Sequence, residues 1–287
     1  VKNALKTISL YRLGDICIIL ALWTSHHVWH ENITFVKLND ADLVASNISN
    51  HYNQVIFLLC MIVVAASIKS AQFPFSSWLP RAMEGPTTSS AVFYGSLAVH
   101  LGVFLLLRTY HYWEPIIAMK IIIVVIGSVT AFIATLIARV QSTVKTQIAY
   151  ASIAQIGLMF IEVAFGWHVL ALLHLTGNAL LRTYQLLVSP SILGYMIHEQ
   201  FFNFKPKKYP NPQSMGYKFT NSLYLLSMQE WKMDSFLKKI CWDPFKLIGK
   251  RFNFLSNKKG LISMIVIYIA GVIFLLFNKN LSQQIDH

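Results

Sequence analysis

The sequence has few charged residues for its length and few cysteines, and each shortage excludes a class of protein. Of 287 residues, 13% are charged and 55% are apolar. A soluble domain carries about a quarter charged residues, so this composition excludes a soluble globular enzyme. The three cysteines do not form a disulfide framework, because Cys17 and Cys60 lie inside apolar stretches and Cys241 lies in a lysine-rich one. They are expected to be small hydrophobic residues.

Sequence signals for export and for catalysis are also missing. The first residues do not have the order of a signal peptide, and the absence of an initiator methionine predicts a fragment or an alternative start. No phosphate-binding glycine loop, paired-cysteine metal site or nucleophilic triad is present. The cluster of His26, His27 and His30 lacks a matching acid or cysteine, which favours an interfacial polar rim over a metal site. We therefore predict no catalytic residue, no metal and no cofactor.

Long apolar stretches predict an all-α integral membrane protein with about seven transmembrane helices. They cover residues 7–29, 54–78, 88–108, 115–138, 147–165, 167–197 and 260–277. Only Gly166 and Trp167 separate the fifth stretch from the sixth. The sixth contains Asn178, Arg182 and Pro190, which predict a broken helix. Backbone freed by such a break must be satisfied by neighbouring helices or by water.

The net charge of +12 is distributed unevenly between alternate loops. Loops on one side contain eighteen lysines and arginines, and loops on the other side contain four. Cytoplasmic loops retain the positive excess, so the start of the chain and the 198–259 loop are predicted to be cytoplasmic. The basic excess therefore indicates membrane topology rather than binding to nucleic acid.

The 198–259 loop has a composition of its own. Residues 205–218 are rich in proline and lysine and predict an irregular linker. The following MDSFLKKICWDPFKLIGKRFNFL places apolar residues among lysines at helical spacing, which predicts a basic amphipathic segment. Such a segment lies on an anionic membrane surface, the preferred interpretation, or docks a partner. The predicted domains are a helix bundle at 1–198, this cytoplasmic segment at 199–259, and a last helix with its tail at 260–287.

The stretch 69–87, KSAQFPFSSWLPRAMEGPT, combines a lysine at the end of an apolar run with three prolines. An ionisable group beside a broken helix lines a polar pathway in the membrane. Alternatively, the lysine extends to the headgroups and Pro74 ends the span. Other ionisable residues within or beside the apolar stretches are Asp15, Glu84, His100, Lys145, Glu162, His174 and Arg182. Such groups on separate helices suit proton relay through water.

Three of these ionisable residues also have simpler interpretations. His100 by itself is better explained as a histidine whose hydrogen bonds are satisfied between packed helices. Asp15 and Lys145 lie near the ends of predicted spans and could reach the headgroups. Lys69 and His174, which lie deeper or beside helix breaks, form the preferred relay pair.

Several motifs in a fixed order resemble a known family. KSAQFPFSSWLPRAMEGPT is followed by QSTVKTQIAYASIAQIGLMF from Gln141 and by HLTGNALLR from His174, and YRLGD precedes them at Tyr11. Over residues 5–190 the chain resembles the antiporter-like membrane subunits of respiratory complex I, subunit L especially, and of multisubunit cation/proton antiporters. The resemblance implies that Lys69 is the buried lysine of a proton path. It implies that Lys145 and His174 belong to helices that line the channel.

The chain departs from this family pattern at three pathway positions. Tyr94 and Asn178 stand where the family has histidines, and Arg182 stands where it has a lysine. Arginine cannot release its proton, so the role expected of Arg182 is electrostatic. The resemblance also places the glutamate partner of Lys69 before Val1. We therefore expect no carboxylate within these 287 residues to face Lys69.

The resemblance implies a proton-conducting membrane transporter subunit of a bacterial inner membrane that drives a partner. The implied pathway residues are Lys69, His174, Lys145, Tyr94, His100, Arg182 and Glu84. The chain would not catalyse a reaction by itself, although it could be a subunit of an NADH-quinone oxidoreductase. The implied partners are the bilayer and the other subunits of a respiratory or antiporter complex.

Two alternative functions remain open. The ending LLRTYQLLVSPS resembles the membrane subunit of DAB-type inorganic carbon transporters, which take up carbon dioxide or bicarbonate with a large zinc-containing cytoplasmic partner. The basic 205–259 region would then be the docking surface for that partner. The other alternative is a non-conducting membrane scaffold, which the retention of Lys69, Lys145 and His174 disfavours.

Overall fold

The computed structural model describes residues 2–29, 34, 37, 40–202, 215–251 and 258–277. Within these residues the secondary structure is helical, with no β-strand, so the predicted all-α fold is confirmed. The chain divides into two compact units, residues 1–233 and 234–287. The site residues predicted above all belong to the first unit.

The first unit is built from the following helices in chain order. They are α1 (Lys2–Trp29), α2 (Ala41–Asn50), α3 (Tyr52–Lys69), α4 (Trp78–Ala82), α5 (Thr87–Ser90), α6 (Leu101–Arg108), α7 (Tyr110–Trp113), α8 (Ile117–Val140), α9 (Val144–Ala164), α10 (His168–Phe202) and α11 (Met215–Met228). A π-helix at Ala91–Leu97 and a 3₁₀-helix at Ala98–His100 join α5 to α6, and a further 3₁₀-helix covers Glu230–Lys232.

Four helical stretches are long and apolar enough to cross a membrane: Tyr52–Lys69, Thr87–Arg108, Ile117–Val140 and Val144–Ala164. They coincide with the second to fifth predicted spans. The first and sixth predicted spans are helical as α1 and α10, and the last contains the shorter apolar stretch Gly260–Phe274. The total of seven transmembrane helices stays a prediction.

Two details of the predicted spans are wrong. The second span does not continue to residue 78, because α3 ends at Lys69 and helix resumes only at Trp78. The sixth span is not broken: α10 runs as one helix from His168 to Phe202 and includes Pro190. Proline removes one donor but does not always end a helix in a membrane protein, where neighbouring groups can satisfy the freed carbonyl.

Helix α9 is the centre of the first unit and the most buried of the four candidate spans. It packs against α8 and α10, and also touches α4, α6 and the 3₁₀-helix at 98–100. Its start is fixed by Thr143, whose hydroxyl accepts a hydrogen bond from the amide of Thr146. Helix α9 therefore contacts elements beside two helix interruptions, namely α4 and the 3₁₀-helix at 98–100.

The contact between α8 and α9 depends on two glycines. A Cβ atom on Gly127 would lie 2.5 Å from the carbonyl oxygen of Gly157, and one on Gly157 would lie 2.7 Å from the carbonyl oxygen of Gly127. Real Cβ atoms do not approach oxygen this closely, so glycine at both positions allows the helix backbones to touch. On its other face α8 exposes Ile117, Ile121 and Phe132, as expected of a helix that faces lipid.

The second unit contains the predicted amphipathic segment. Helix α12 (Met233–Leu237), a π-helix at Lys238–Trp242 and α13 (Asp243–Arg251) cover most of it, and α14 (Lys258–Phe277) is the last described helix. On α13 the side chains of Phe245, Leu247 and Ile248 are exposed among basic residues. Phe252, which also belongs to the predicted amphipathic segment, lies outside the described residues.

Candidate functional site

Lys69 forms an ion pair with Asp15, which contradicts the expectation that no carboxylate of this chain faces it. Its Nζ atom lies 2.6 Å from Oδ1 of Asp15 and 4.4 Å from the ring centroid of Tyr11. The Lys69 side chain is 15% exposed and that of Asp15 is 37% exposed. Arg12 reaches the other oxygen of Asp15 at 3.6 Å, from the surface. The lysine is therefore held against α1 by this ion pair.

Helix periodicity explains how α1 supplies this partner. Tyr11 and Asp15 are four residues apart and so share one face of α1, and α1 packs along α3. The motif YRLGD thus contributes both a carboxylate and an aromatic ring to one ammonium group. The expectation failed because it considered only the family's glutamate, which the resemblance places before Val1, and gave Asp15 on α1 no role as a partner.

The helix break begins directly at Lys69 and not at Pro74. Ser70 caps α3, and the next residue, Ala71, has φ 51°, a left-handed conformation that ends the helix. Neighbouring side chains then satisfy the freed backbone groups, as expected at membrane depth. Nε1 of Trp78 donates to the carbonyl of Ile68 at 2.9 Å, and the amide of Phe73 donates to Oγ1 of Thr130 at 3.0 Å.

Aromatic residues connect Tyr94 to the Lys69 group. The ring of Trp78 packs edge-on against Tyr11 with centroids 4.8 Å apart, and against Tyr94 with centroids 6.3 Å apart. Tyr94 lies in the π-helix at Ala91–Leu97, a local widening that often marks functional positions in helices. The structure thus links two predicted pathway residues, Lys69 and Tyr94, through the rings of Tyr11 and Trp78.

His174 is the centre of a second polar group. Its Nδ1 atom lies 2.8 Å from Oε1 of Glu162, and its Nε2 atom lies 2.9 Å from Oε1 of Gln155. The other carboxylate oxygen of Glu162 is buried and has no hydrogen-bond partner among the described residues. Buried oxygens of this kind are normally satisfied by water. His174 therefore connects a carboxylate and an amide on α9 to α10.

A third polar group joins His100 to Arg182 through Asn178. Nε2 of His100 lies 3.1 Å from Nδ2 of Asn178, and Nε of Arg182 donates to Oδ1 of Asn178 at 3.1 Å. His100 and Arg182 are both buried. The guanidinium also donates to Oε1 of Gln185 at 2.6 Å and to the carbonyl of Ala151 at 3.3 Å. His174, Asn178 and Arg182 are spaced by four residues and so share one face of α10.

Two cavities border these groups. One has a volume of about 470 Å³ and is lined by residues that include Arg139, Gln155, Arg182 and Gln185. The other has a volume of about 700 Å³ and brings the predicted residues Glu84 and Lys145 together. Within it, Lys145 donates to the carbonyl of Gly85 at 2.8 Å and Glu84 accepts from Asn3. Glu84 is exposed there.

The seven predicted site residues thus form three sets. Lys69 and Tyr94 are linked through Tyr11 and Trp78, His100, His174 and Arg182 lie along α9 and α10, and Glu84 and Lys145 line one cavity. Sequence reasoning gave no contact role to Tyr11, Asn178 and Gln185. Spacings of four residues within YRLGD and within HLTGNALLR were the available signal for Tyr11 and Asn178. Gln185 had no comparable signal.

Among the described residues, no group of three or more histidine, cysteine, aspartate or glutamate side chains could hold a metal ion. Cys17 and Cys60 are free. His30 and the side chain of Cys241 lie outside the described part of the chain. The predicted pathway residues carry carboxylate, imidazole, phenol, ammonium and guanidinium groups.

Comparisons with solved structures show the same fold in larger assemblies. A chain in the structure of the Mrp complex from Dietzia sp. DQ12-45-1b superposes with a TM-score of 0.61 at 24% identity, over 70% of this chain and 22% of that one. A chain of the membrane-bound sulfane sulfur reductase, an archaeal respiratory membrane complex, superposes with a TM-score of 0.56 at 18% identity, over 79% of this chain and 38% of that one.

Sequence comparisons extend this similarity to the family level. NADH-ubiquinone oxidoreductase chain 5 of Paracentrotus lividus is 35% identical over 203 residues, which are 69% of this chain and 30% of that protein. NADH-quinone oxidoreductase subunit L of Rhodobacter capsulatus is 36% identical over 149 residues, 52% of this chain and 21% of that protein. This chain therefore spans about a third of such relatives or less. Residues 1–204 match the family described as "NADH:quinone oxidoreductase/Mrp antiporter, TM", and the chain belongs to this family of membrane proteins.

Proposed function

We propose that this chain is a proton-conducting subunit of a membrane complex and that protons pass through Lys69. The observation that carries the proposal is the ion pair between Lys69 and Asp15 at the point where α3 breaks. Membership of the NADH:quinone oxidoreductase/Mrp antiporter family supports proton conduction as the general function. The specific path through Lys69 is our inference from the geometry.

The ion pair gives Lys69 two states. In one state Nζ of Lys69 lies 2.6 Å from Oδ1 of Asp15. In the other state Lys69 has left Asp15 and can pass a proton to water. The helix break at Ser70 frees the backbone next to Lys69, so a small movement of this end of α3 can separate the pair. Loading and release of a proton then depend on the distance between Nζ of Lys69 and the carboxylate of Asp15.

The His174 group supplies a further proton-transfer segment. Imidazole can accept a proton at one nitrogen and release one from the other, and His174 contacts Glu162 at one nitrogen and Gln155 at the other. Gln155 also lines the 470 Å³ cavity, so this histidine is separated from the cavity by one side chain. Glu84 and Lys145 line the second cavity. We propose that water in these cavities connects the groups to the two sides of the membrane, with the start of the chain cytoplasmic.

The proposal is tested with the complex that contains this chain, purified and reconstituted into vesicles with an internal pH-sensitive dye. Lys69→Met removes the titrating group but keeps an apolar stem. Lys120→Met is the matched control, since Lys120 is a partly exposed lysine whose Nζ atom lies 3.6 Å from Glu114. We expect proton flux of the Lys69→Met complex to fall to the leak of empty vesicles and that of the control to remain.

Assembly of each variant is verified by the subunit composition of the purified complex. Unchanged flux in assembled Lys69→Met would refute the path through Lys69. Absence of flux in every complex, including the unmodified one, would support the non-conducting scaffold instead.

The partner is inferred by the same purification. If the chain belongs to a respiratory complex, the purified material contains flavin and iron–sulfur subunits and oxidises NADH. If it belongs to a DAB-type inorganic carbon transporter, it contains one large zinc protein, and elevated carbon dioxide rescues growth when the gene is deleted. We prefer the respiratory or antiporter complex, because the relatives include complex I subunits and the Mrp complex.

A further inference from the structure

The chain of hydrogen bonds from Arg182 to Ser96 has a fixed direction. Arginine can only donate hydrogen bonds, and a backbone carbonyl can only accept them. Nε of Arg182 lies at one end, 3.1 Å from Oδ1 of Asn178. The carbonyl oxygen of Ser96 lies at the other end, 2.8 Å from Nδ1 of His100. Asn178 and His100, which can both donate and accept, lie between these two ends.

The two ends determine the orientation of both residues between them. Because Arg182 donates to Oδ1, the amide nitrogen of Asn178 must face His100, where it lies 3.1 Å from Nε2. An amide nitrogen only donates, so Nε2 must accept and carries no hydrogen. Because Ser96 offers a carbonyl, Nδ1 must carry the hydrogen. His100 is thus held as one neutral tautomer.

The same arrangement leaves His100 no free position for a second proton. Asn178 Nδ2 also lies 3.4 Å from Oγ of Ser152, so both amide hydrogens have acceptors in this orientation. Turning the amide over would place its nitrogen against the Arg182 guanidinium, where two donors would face each other. Asn178 and His100 are both buried, which makes such an unsatisfied contact costly.

We propose that Arg182 and Asn178 are positioning residues that keep His100 from taking up a proton. Arg182 acts through Asn178 and does not itself exchange a proton. His100 can join a proton path only after Asn178 withdraws its amide from Nε2. These hydrogen bonds therefore block proton transfer through His100 until α10 moves relative to the 3₁₀-helix that carries this histidine.

Other charges bear on His100 from neighbouring elements. His174 lies one helical turn before Asn178 on α10, and Lys69 precedes Ser70, whose hydroxyl is bonded to the carbonyl of Val99. A positive charge on either residue would also oppose protonation of His100. The directed hydrogen bonds act independently of these charges, since they depend only on which atoms can donate.

The test is solid-state ¹⁵N NMR of the histidine-labelled complex in lipid at neutral pH. The protein has ten histidines, so the His100 signals are assigned by their loss in His100→Gln. We expect unmodified His100 to show a protonated Nδ1 and an unprotonated Nε2. In Asn178→Asp, a carboxylate oxygen replaces the amide donor, and we expect the unprotonated Nε2 signal to disappear. In Arg182→Met the amide can turn over, and a protonated Nε2 should appear.

Gln185→Met is the matched control. It removes a different hydrogen bond of Arg182 and leaves the bond to Asn178 in place, so the His100 spectrum should not change. A protonated Nε2 in the unmodified complex would overturn the inference. A spectrum unchanged in both Asn178→Asp and Arg182→Met would also overturn it. If the Arg182→Met complex does not assemble, the His100 spectrum of Asn178→Asp, a nearly isosteric substitution, tests the inference by itself.

The consequence for transport rests on the proposed function, whereas the NMR result does not. If the chain conducts protons, Asn178→Asp should change flux, whereas Thr176→Val should not, because Thr176 is exposed on α10 and its hydroxyl bonds to carbonyls of the same helix. If no complex conducts protons but the NMR pattern is as expected, the proposed function fails and the positioning role remains. If flux falls in Lys69→Met but His100 shows the other tautomer, the proposed function stands and the positioning role fails.

Discussion

The hydroxyl of Ser70 donates a 2.7 Å hydrogen bond to the carbonyl of Val99, and this bond connects the two interrupted helices of the site. Ser70 follows Lys69 at the end of α3, and Val99 precedes His100 in the 3₁₀-helix. The bond satisfies a carbonyl within an irregular segment, where the regular helical partner is lost. Movement of the Lys69 end of α3 is thereby coupled to the backbone that carries His100.

Loss of the Asp15 charge is expected to impair conduction without removing Lys69. Asp15→Asn keeps the shape of the side chain but removes the charge that holds the ammonium group at 2.6 Å. We expect proton flux to fall by about tenfold or more, since a hydrogen bond to a charged group contributes about 1.5–3 kcal/mol. Vesicle flux measurements on the assembled complex check this.

Arg12→Gln is the control for this variant, because Arg12 is 77% exposed and approaches Asp15 only to 3.6 Å. Its flux should remain close to that of the unmodified complex. Equal fluxes for Asp15→Asn and the unmodified protein would show that the ion pair does not regulate Lys69.

The close approach of α3 and α6 should not tolerate a side chain at Gly102. A Cβ atom there would overlap the carbonyl oxygen of Ala66 and the hydroxyl of Ser70. We expect Gly102→Ala to destabilise the chain by about 1–3 kcal/mol, the usual effect of overpacking. Thermal unfolding in detergent measures it. Ser70→Ala should cost less, about 1 kcal/mol for one hydrogen bond, and a larger loss for Ser70→Ala than for Gly102→Ala would contradict this account.

Glycines of α8 and α10 should differ sharply in their response to alanine. Gly127→Ala would push α8 away from α9, because the new Cβ would lie 2.5 Å from the carbonyl oxygen of Gly157. A Cβ atom on Gly177 in α10 would meet no neighbouring group within 4 Å, so Gly177→Ala should be neutral or stabilise the helix by up to about 1 kcal/mol. Unfolding temperatures of the two variants provide the comparison, and similar losses for both would refute the packing argument.

The basic face of α13 is expected to bind anionic lipid. Phe245, Leu247 and Ile248 are exposed, and Lys250 and Arg251 lie in the last turn. A fluorophore on Leu247→Cys should report a more apolar environment in anionic vesicles than in neutral ones. Replacing Lys246, Lys250 and Arg251 by glutamine should remove this difference, with a loss of about 1 kcal/mol per charge. An unchanged signal would indicate that a protein partner, and not lipid, covers this face.

The sequence predicted those parts of the molecule that depend on local composition. Long apolar runs gave the positions of α8 and α9 to within three residues, because the cost of exposing apolar side chains and polar backbone acts on each span separately. The break after Lys69 was also predicted, although its start was placed at Pro74. The helix ends earlier because Ala71 adopts a left-handed conformation, which no local motif indicates.

Contacts between distant segments could not be predicted in this way. Asp15 and Lys69 are 54 positions apart, and their pairing depends on how α1 lies along α3. His100 and Asn178 are 78 positions apart and meet only because α10 packs against the irregular segment before α6. The continuity of α10 through Pro190 could not be predicted either, because proline ends some helices and is tolerated within others.

A 2.9 Å ion pair between Arg81 and Glu230 links the segment next to Lys69 to the part of the chain that follows α11. Arg81 belongs to α4, directly after the break at Lys69, and Glu230 follows α11. Linkage between two such events is reciprocal. A protein that binds α11 and weakens this ion pair would alter the segment next to Lys69, and a change in that segment would alter the affinity for the protein by the same factor. Binding affinity at the surface would therefore report the conformation of the segment between α3 and α4.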